Sequence, residues 1–293
     1  MGGVVRLFDL FGKEKIDPLW EYTAAGRIWH VRVASETLLL GENRDPETKR
    51  VEFFCLDQRD GSEVWRKGEF GDGWWIGIEG IFNGTLLLHG FSSPDLPVHR
   101  GIIAVDMADG TKLWERPDLV IQGTDGANVV GHPFASSAEE NLAISLSSGE
   151  TLGVTGQLAS EDFAAPGDDV EFPDVLEESS EVGAALRARI TSFIEGREVA
   201  GPLMSYVRRN RIALSMHERR PGGEETEPHF RHSLRVLDME SGHTIFKQVL
   251  DEDIPRLVPD PFFVYHDNLY CIRERRTLMA VPFGVSRDRF PAP

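Results

Sequence analysis

Apolar and polar side chains alternate at period two through most of this chain, and the alternation breaks at short turns rich in Gly, Asp, Asn and Ser, which predicts strands rather than helices. Ile28-Trp29-His30-Val31-Arg32-Val33 and Thr37-Leu38-Leu39-Leu40 read as one pair of strands, and Trp74-Trp75-Ile76-Gly77-Ile78 and Thr85-Leu86-Leu87-Leu88 as another. A hairpin of recurring spelling follows each pair. It runs Phe54-Cys55-Leu56-Asp57-Gln58-Arg59-Asp60-Gly61-Ser62-Glu63-Val64-Trp65 after the first, and Ala104-Val105-Asp106-Met107-Ala108-Asp109-Gly110-Thr111-Lys112-Leu113-Trp114 after the second. A third copy is Arg235-Val236-Leu237-Asp238-Met239-Glu240-Ser241-Gly242-His243-Thr244-Ile245-Phe246. In all three an Asp stands four residues before the Gly and an aromatic four after it. A weaker copy keeps Gly149 but has Ser145 in the Asp column and Gly153 in the aromatic column.

Each column has a structural reason. The carboxylates of Asp57, Asp106 and Asp238 accept turn amides, and Gly61, Gly110 and Gly242 supply the positive φ of a tight hairpin. Trp65, Trp114 and Phe246 pack on the neighbouring strand pair. With the two strands upstream, a unit holds four antiparallel strands, and Asp57 and Asp106 lie 49 residues apart. Four strands in roughly 40 to 50 residues make the blade of a β-propeller. Further blades are expected around Gln122–Val154 and Phe262–Phe283, the latter short of strands. The expectation is one propeller domain over 1–293, with about five readable blades and room for six or seven. Its ring closes by pairing residues 4–22 with 259–283, which hides edges that invite aggregation.

Residues 155–197 interrupt the pattern. From Thr155 to Glu181 there are nine carboxylates and no Lys or Arg. Val182, Leu186, Ile190, Phe193 and Ile194 then recur on one helical face, with Ser179 or Ser180 as cap and Gly196 as stop. This predicts an acidic, partly helical insertion, with a diverged blade as the alternative.

Composition narrows the function classes. The 293 residues carry 48 acidic and 31 basic side chains, a formal charge of −17. That balance argues against nucleic acid and anionic membranes as partners. No run approaches the ~20 apolar residues of a membrane-spanning helix. Arg6 and Asp9 interrupt the opening apolar run before it reaches signal-peptide length, and position 6 is Arg where a myristoylation motif has Ser or Thr. Two isolated cysteines, Cys55 and Cys271, fit a reducing compartment, so a cytoplasmic location is expected.

The Asp-x-x-x-Gly-x-x-x-Trp hairpins resemble the repeats of the pyrroloquinoline-quinone-like propeller superfamily, which includes quinoprotein alcohol dehydrogenases and the propeller lipoprotein of outer-membrane assembly. The resemblance covers about two thirds of the chain and implies the fold. It argues against the cofactor, because the vicinal cysteine pair, the readable calcium motif, the export signal and the longer eight-bladed chain of the quinoprotein enzymes have no counterpart here. No cofactor is expected. No lipobox cysteine stands near the amino terminus either. Phe8-Asp9-Leu10-Phe11-Gly12, with Leu19-Trp20-Glu21-Tyr22 and Ile28-Trp29, also looks like an uncharacterised bacterial family with no assigned role.

Three groups of residues are candidates for chemistry. Arg208, Arg209 and Arg211, with Arg273, Arg275 and Arg276, concentrate positive charge in two consecutive units. Of these, Arg208, Arg211, Arg273 and Arg275 are the candidates for an anion-binding surface, and blade-to-blade ion pairs or pairing with the acidic segment is the plainer reading. Trp74 and Trp75 follow Gly71-Asp72-Gly73 and could stack on a ligand. Read as strand residues, one would be core and the other exposed or near the central channel. Trp20, Trp29, Trp65 and Trp114 read as blade packing. His229 and His232 could ligate a metal, but their spacing sends them to opposite faces of a strand, and a solvated hairpin loop explains them better. No phosphate loop, nucleophile elbow or metalloprotease helix is present. The expected function is a non-catalytic binding or scaffold module for a protein or a small anionic ligand. The alternative is a propeller hydrolase or lyase, recognisable by at least one His and two carboxylates gathered in one pocket.

Overall fold

The computed structural model describes residues 15–68, 70, 71, 73–93, 96–134, 140–155, 169–176, 190, 191, 194, 196–220 and 228–284. Its strands form antiparallel sheets in which sequence neighbours pair, as the alternating pattern requires. The protein is all-β and of the β-propeller class, since each sheet has the meander form of a blade.

The chain divides into two compact units, one of residues 22–169 and one of residues 1–21 with 170–293. The first holds three four-stranded sheets. One is β2 (Arg27–Val33), β3 (Leu38–Asp45), β4 (Arg50–Asp57) and β5 (Glu63–Lys67). The next is β6 (Ile76–Phe82), β7 (Thr85–Ser93), β8 (Leu96–Asp106) and β9 (Lys112–Arg116). The third is β10 (Leu119–Thr124), β11 (Val129–Pro133), β12 (Leu142–Ile144) and β13 (Thr151–Val154). A core of Leu40, Phe53, Cys55, Ile76, Leu86, Leu88 and Val105 binds the first two sheets. Burying each of the larger aliphatic or aromatic side chains is worth about 1.5–3 kcal/mol.

The hairpin columns act as their chemistry predicts. Gly61, Gly110 and Gly242 have φ of 71°, 73° and 70°, and Gly149 in the weaker copy has 72°. Each donates its amide to the Asp or Ser four residues earlier, at 2.8–2.9 Å. Asp57 accepts the amide of Arg59, Asp106 that of Ala108 and Asp238 that of Ser241. The aromatics tie one sheet to the next. The indole of Trp65 donates to Met107 O at 2.8 Å, and that of Trp114 to Leu146 O at 2.7 Å, one residue past the Asp or Ser of the following hairpin in both cases.

In the other unit, β14 (Asp174–Val175), β15 (Val199–Arg208), β16 (Arg211–Arg219), β17 (Phe230–Asp238) and β18 (Thr244–Ile254) form a five-stranded sheet. Part of the acidic segment thus adds an edge strand, and Glu171 bridges to Val264. Ile190, Thr191 and Ile194 have helical backbone. Ile190 packs with Ile212, Leu214 and Leu237, while Val182, Leu186 and Phe193 lie outside the described residues. The last sheet is β19 (Phe262–Tyr265), β20 (Asn268–Arg273) and β21 (Thr277–Pro282), with β1 (Trp20–Thr23) as its fourth strand against β21. The amino-terminal chain therefore completes a sheet whose other strands come from the far end of the sequence. Residues 4–14 of the expected closing segment lie outside the described residues.

Candidate functional site

In the unit of residues 22–169, two tryptophans stand in solvent, one of them where the blade pattern assigns it to packing. Trp29 is 56% exposed, unlike Trp20, Trp65 and Trp114, which are buried; the reading of all four as core fails for Trp29. Trp29 occupies a register shift between Ile28 and His30 in the pairing of β2 with β3, which turns its side chain outward. Trp74 and Trp75 are not strand residues: they lie in the turn before β6, so strand alternation does not govern them. Trp75 is 39% exposed and meets Phe91 edge-on.

Arg44 fastens this surface. Its guanidinium lies 5.8 Å from the Trp29 ring centroid and 5.1 Å from that of Trp74, while Lys49 sits 4.7 Å over Trp74. Arg44 donates to the carbonyls of Trp74 and Ile76 and to Glu42. Glu42 is a fully buried carboxylate compensated by Arg44 and by His30 at 3.2 Å. The three aromatic cation contacts are each worth about 0.5–1 kcal/mol at such a surface.

Beyond Phe91 lies a histidine pair. His89 on β7 and His99 on β8 stack with centroids 3.5 Å apart and planes 10° from parallel, and Phe91 meets both rings edge-on. Glu79 on β6 reaches under both: its Oε2 is 2.7 Å from His89 Nδ1 and 3.0 Å from His99 Nδ1. Irregular pairing brings the three together. The β6–β7 register shifts between Ile78 and Gly80, at Glu79, and the β7–β8 register shifts between Leu88 and Gly90, at His89. Gly101 holds φ of 80° in β8. Gly77 makes room for the His89 ring, since a Cβ there would stand 3.0 Å from Nε2. Burial raises the proton affinity of Glu79, but the two imidazoles outweigh it and hold the carboxyl below its ordinary range.

A second polar cluster lies in the unit that contains residues 170–293. Ser215 Oγ is 2.8 Å from His232 Nε2, and His232 Nδ1 is 3.3 Å from Asp251 Oδ2. His217 stacks on His232 at 4.3 Å and accepts the Val258 amide at 3.1 Å through Nε2. Burial, with the neighbouring His232, drives the His217 pKa down to about 4, against the opposing pull of Asp251. The order of contacts is that of a hydrolytic triad. Ser215 is only 1% exposed, however, so a substrate has no approach to its hydroxyl.

Glu42, His89 and Ser215 occupy one register position. Each lies four residues beyond the strand residue paired with a hairpin Asp, namely Leu38 with Asp57, Thr85 with Asp106 and Arg211 with Asp238. All three are buried polar groups, and each touches a histidine.

Comparison with known proteins adds a family of undefined role. A family model described as a domain of unknown function (DUF4905) matches residues 33–114. That stretch includes the first two hairpins, Arg44, both tryptophans of the turn and the Glu79–His89–His99 cluster. No curated protein matches the sequence. Solved structures it is similar to include β-propellers. BamB from Moraxella catarrhalis is 9% identical, with 92% of this chain and 98% of that one covered and a TM-score of 0.25. The C-terminal WD40 domain of Sif2 is 7% identical, with 94% and 100% covered and a TM-score of 0.33. The propeller domain of the Trilobed protease from Pyrococcus furiosus is 7% identical, with 90% and 70% covered and a TM-score of 0.29. Strand order and register, not these likenesses, carry the fold.

Of the arginine candidates, Arg208, Arg211 and Arg273 are engaged within their own unit. Arg208 donates to His266 O and lies 3.7 Å from Asp267 and 4.0 Å from Glu171, a member of the acidic segment. Arg211 is buried and donates to Pro282 O at 3.2 Å, and Arg273 pairs with Glu21 at 2.7 Å. Arg275 sits in a left-handed turn with φ of 54°. His229 and His232 diverge as their spacing requires: His229 bonds Asp253 at the surface, whereas His232 is buried against Ser215. Glu79, His89 and His99 escape sequence reasoning because ten residues separate each from the next and no local motif joins them. The one available signal was a histidine ending the apolar run Thr85–Leu88.

Proposed function

We propose that this chain is a non-catalytic binding module whose partner is a protein, recognised by the Trp29, Arg44, Trp74, Trp75 and Phe91 surface of the unit of residues 22–169. The observation that carries the reading is the exposure of Trp29 and Trp75 beside an arginine held rigid between aromatic rings. Trp and Arg dominate the energetics of protein interfaces, and pre-ordered side chains lose little entropy on docking. A small anion is a weaker fit, because Arg208, Arg211 and Arg273 already face carbonyls or carboxylates. Catalysis is also a weaker fit: the clusters around His89 and His232 each bring one carboxylate, not two, to their histidines. The thiols of Cys55 and Cys271, buried on β4 and β20 and pushed up to about 12 by burial, suit a reducing compartment such as the cytoplasm. Among the described residues no helix is long and apolar enough to cross a membrane.

A photo-crosslinking residue placed at Trp29 or Trp75 in cells should capture one protein that a crosslinker at exposed Leu152 does not. The purified partner should then bind the native chain, and Trp29→Ala with Trp75→Ala should weaken that complex by about 100-fold, as loss of interface anchors does. Equal capture at all three positions, or binding unchanged in the double variant, would refute the assignment.

A further inference from the structure

We infer that Glu79, His89 and His99 form a binding site for a divalent transition-metal ion of the zinc class. Three adjacent strands each present one ligand, and the donor atoms all lie within 4.8 Å of one another. The His89 side chain is 7% exposed, yet its Nδ1 has no aligned hydrogen-bond partner although Glu79 Oε2 stands 2.7 Å away. The contact is close but off the hydrogen-bonding line, and a cation shared by this nitrogen and the carboxylate would complete the coordination of both. The two bulges and the glycines at 77 and 101 are devices that spend regular pairing to aim side chains at one point.

Two nitrogens and one oxygen select the metal. Zn²⁺, Co²⁺ and Ni²⁺ accept imidazole, whereas Mg²⁺ and Ca²⁺ favour all-oxygen shells. Bonds of about 2.1 Å to each donor require the two imidazole planes to converge. Stacked at 10° they do not, so binding splays one ring. His99 is the ring that moves, being 39% exposed while His89 is packed beneath it. Three protein ligands leave a coordination position open to solvent on the His99 side, available to water or to a side chain of another molecule.

The test uses the full chain, stripped with a chelator and titrated with Co²⁺ and then Zn²⁺. One equivalent of Co²⁺ should develop visible d–d absorption, and one equivalent of Zn²⁺ should abolish it. His99→Ala and Glu79→Gln should each weaken Zn²⁺ binding by about 100-fold, since even residues behind a metal ligand cost 10–100-fold when changed. Circular dichroism confirms that each variant folds, which His99→Ala should do because its side chain is partly in solvent. His229→Ala, just before β17 in the other unit, should bind as the native chain does. No d–d band at one equivalent, an affinity unchanged in His99→Ala, or loss of binding in His229→Ala would each overturn the assignment.

Discussion

Trp65 lies flat against Gly110, so closely that a Cβ on the glycine would stand 2.8 Å from two carbons of the indole. The glycine column thus serves two ends at once: it permits the left-handed turn of its own hairpin, and it leaves a flat seat for the aromatic of the preceding sheet. Trp114 uses Gly149 in the same way, with the nearest ring carbon at 2.7 Å.

Gly110→Ala should therefore lower unfolding free energy by about 2–4 kcal/mol, the sum of positive-φ strain and a clash in a packed contact. Gly84→Ala separates the two contributions, because Gly84 has φ of 75° but nothing within 4 Å of its would-be Cβ. That variant should cost only the strain, about 1–2 kcal/mol. Urea unfolding of both variants checks the difference.

Trp114→Phe keeps most of the ring but removes the donor to Leu146 O. A loss of about 1–2 kcal/mol is expected, the cost of leaving a part-buried carbonyl without its partner. A change below a few tenths of a kcal/mol would mean that water replaces the indole.

Replacing Arg44 by Met strips the buried Glu42 of its guanidinium partner and leaves the His30 ring beside it. Breaking a buried pair from one side costs about 3–5 kcal/mol, so this variant should be among the least stable obtainable at a partly exposed position. The double variant Arg44→Met with Glu42→Gln should recover much of the loss, which thermal unfolding at neutral pH can measure.

His217 makes stability depend on pH. Its pKa in the folded chain is about 4, below the ordinary value of 6.5. The unfolded chain therefore binds the extra proton first as pH falls. The neutral ring's contribution is present above about pH 6.5 and is lost progressively down to about pH 4, by on the order of 3 kcal/mol at most. The groups facing it include His232, stacked on its ring, with Asp251 and Ser215 beyond. His217→Gln should flatten the pH profile of the unfolding midpoint between pH 4 and 7, while an unchanged slope would assign it to other groups.

Ser215 should resist a fluorophosphonate probe in the native chain, because its hydroxyl is buried although His232 and Asp251 stand in triad order. Stoichiometric labelling of Ser215, measured by mass spectrometry, would restore the hydrolase reading.

The strands and the hairpins were legible in the sequence because their causes are local. Period-two alternation, an Asp four before a Gly and an aromatic four after it act within a dozen residues, and the turns at Gly61, Gly110 and Gly242 follow from them. Even the degraded copy at Ser145–Gly149 forms the same turn, since its glycine alone meets the backbone requirement. The partners of those columns were not legible. That Trp65 seats on Gly110, that Trp29 faces solvent, and that Arg208, Arg211 and Arg273 spend their charge on carbonyls and carboxylates are outcomes of packing between segments far apart in the chain. The histidine sites belong to the same class. Glu79, His89 and His99 meet only because register shifts at Glu79 and His89 re-aim side chains of adjacent strands, and Ser215, His232 and Asp251 meet across β16, β17 and β18, where the β17–β18 register shifts on both sides of His232. Local propensity sets which residues extend and turn; which side chains end up sharing a site depends on strand register, decided by the whole sheet at once.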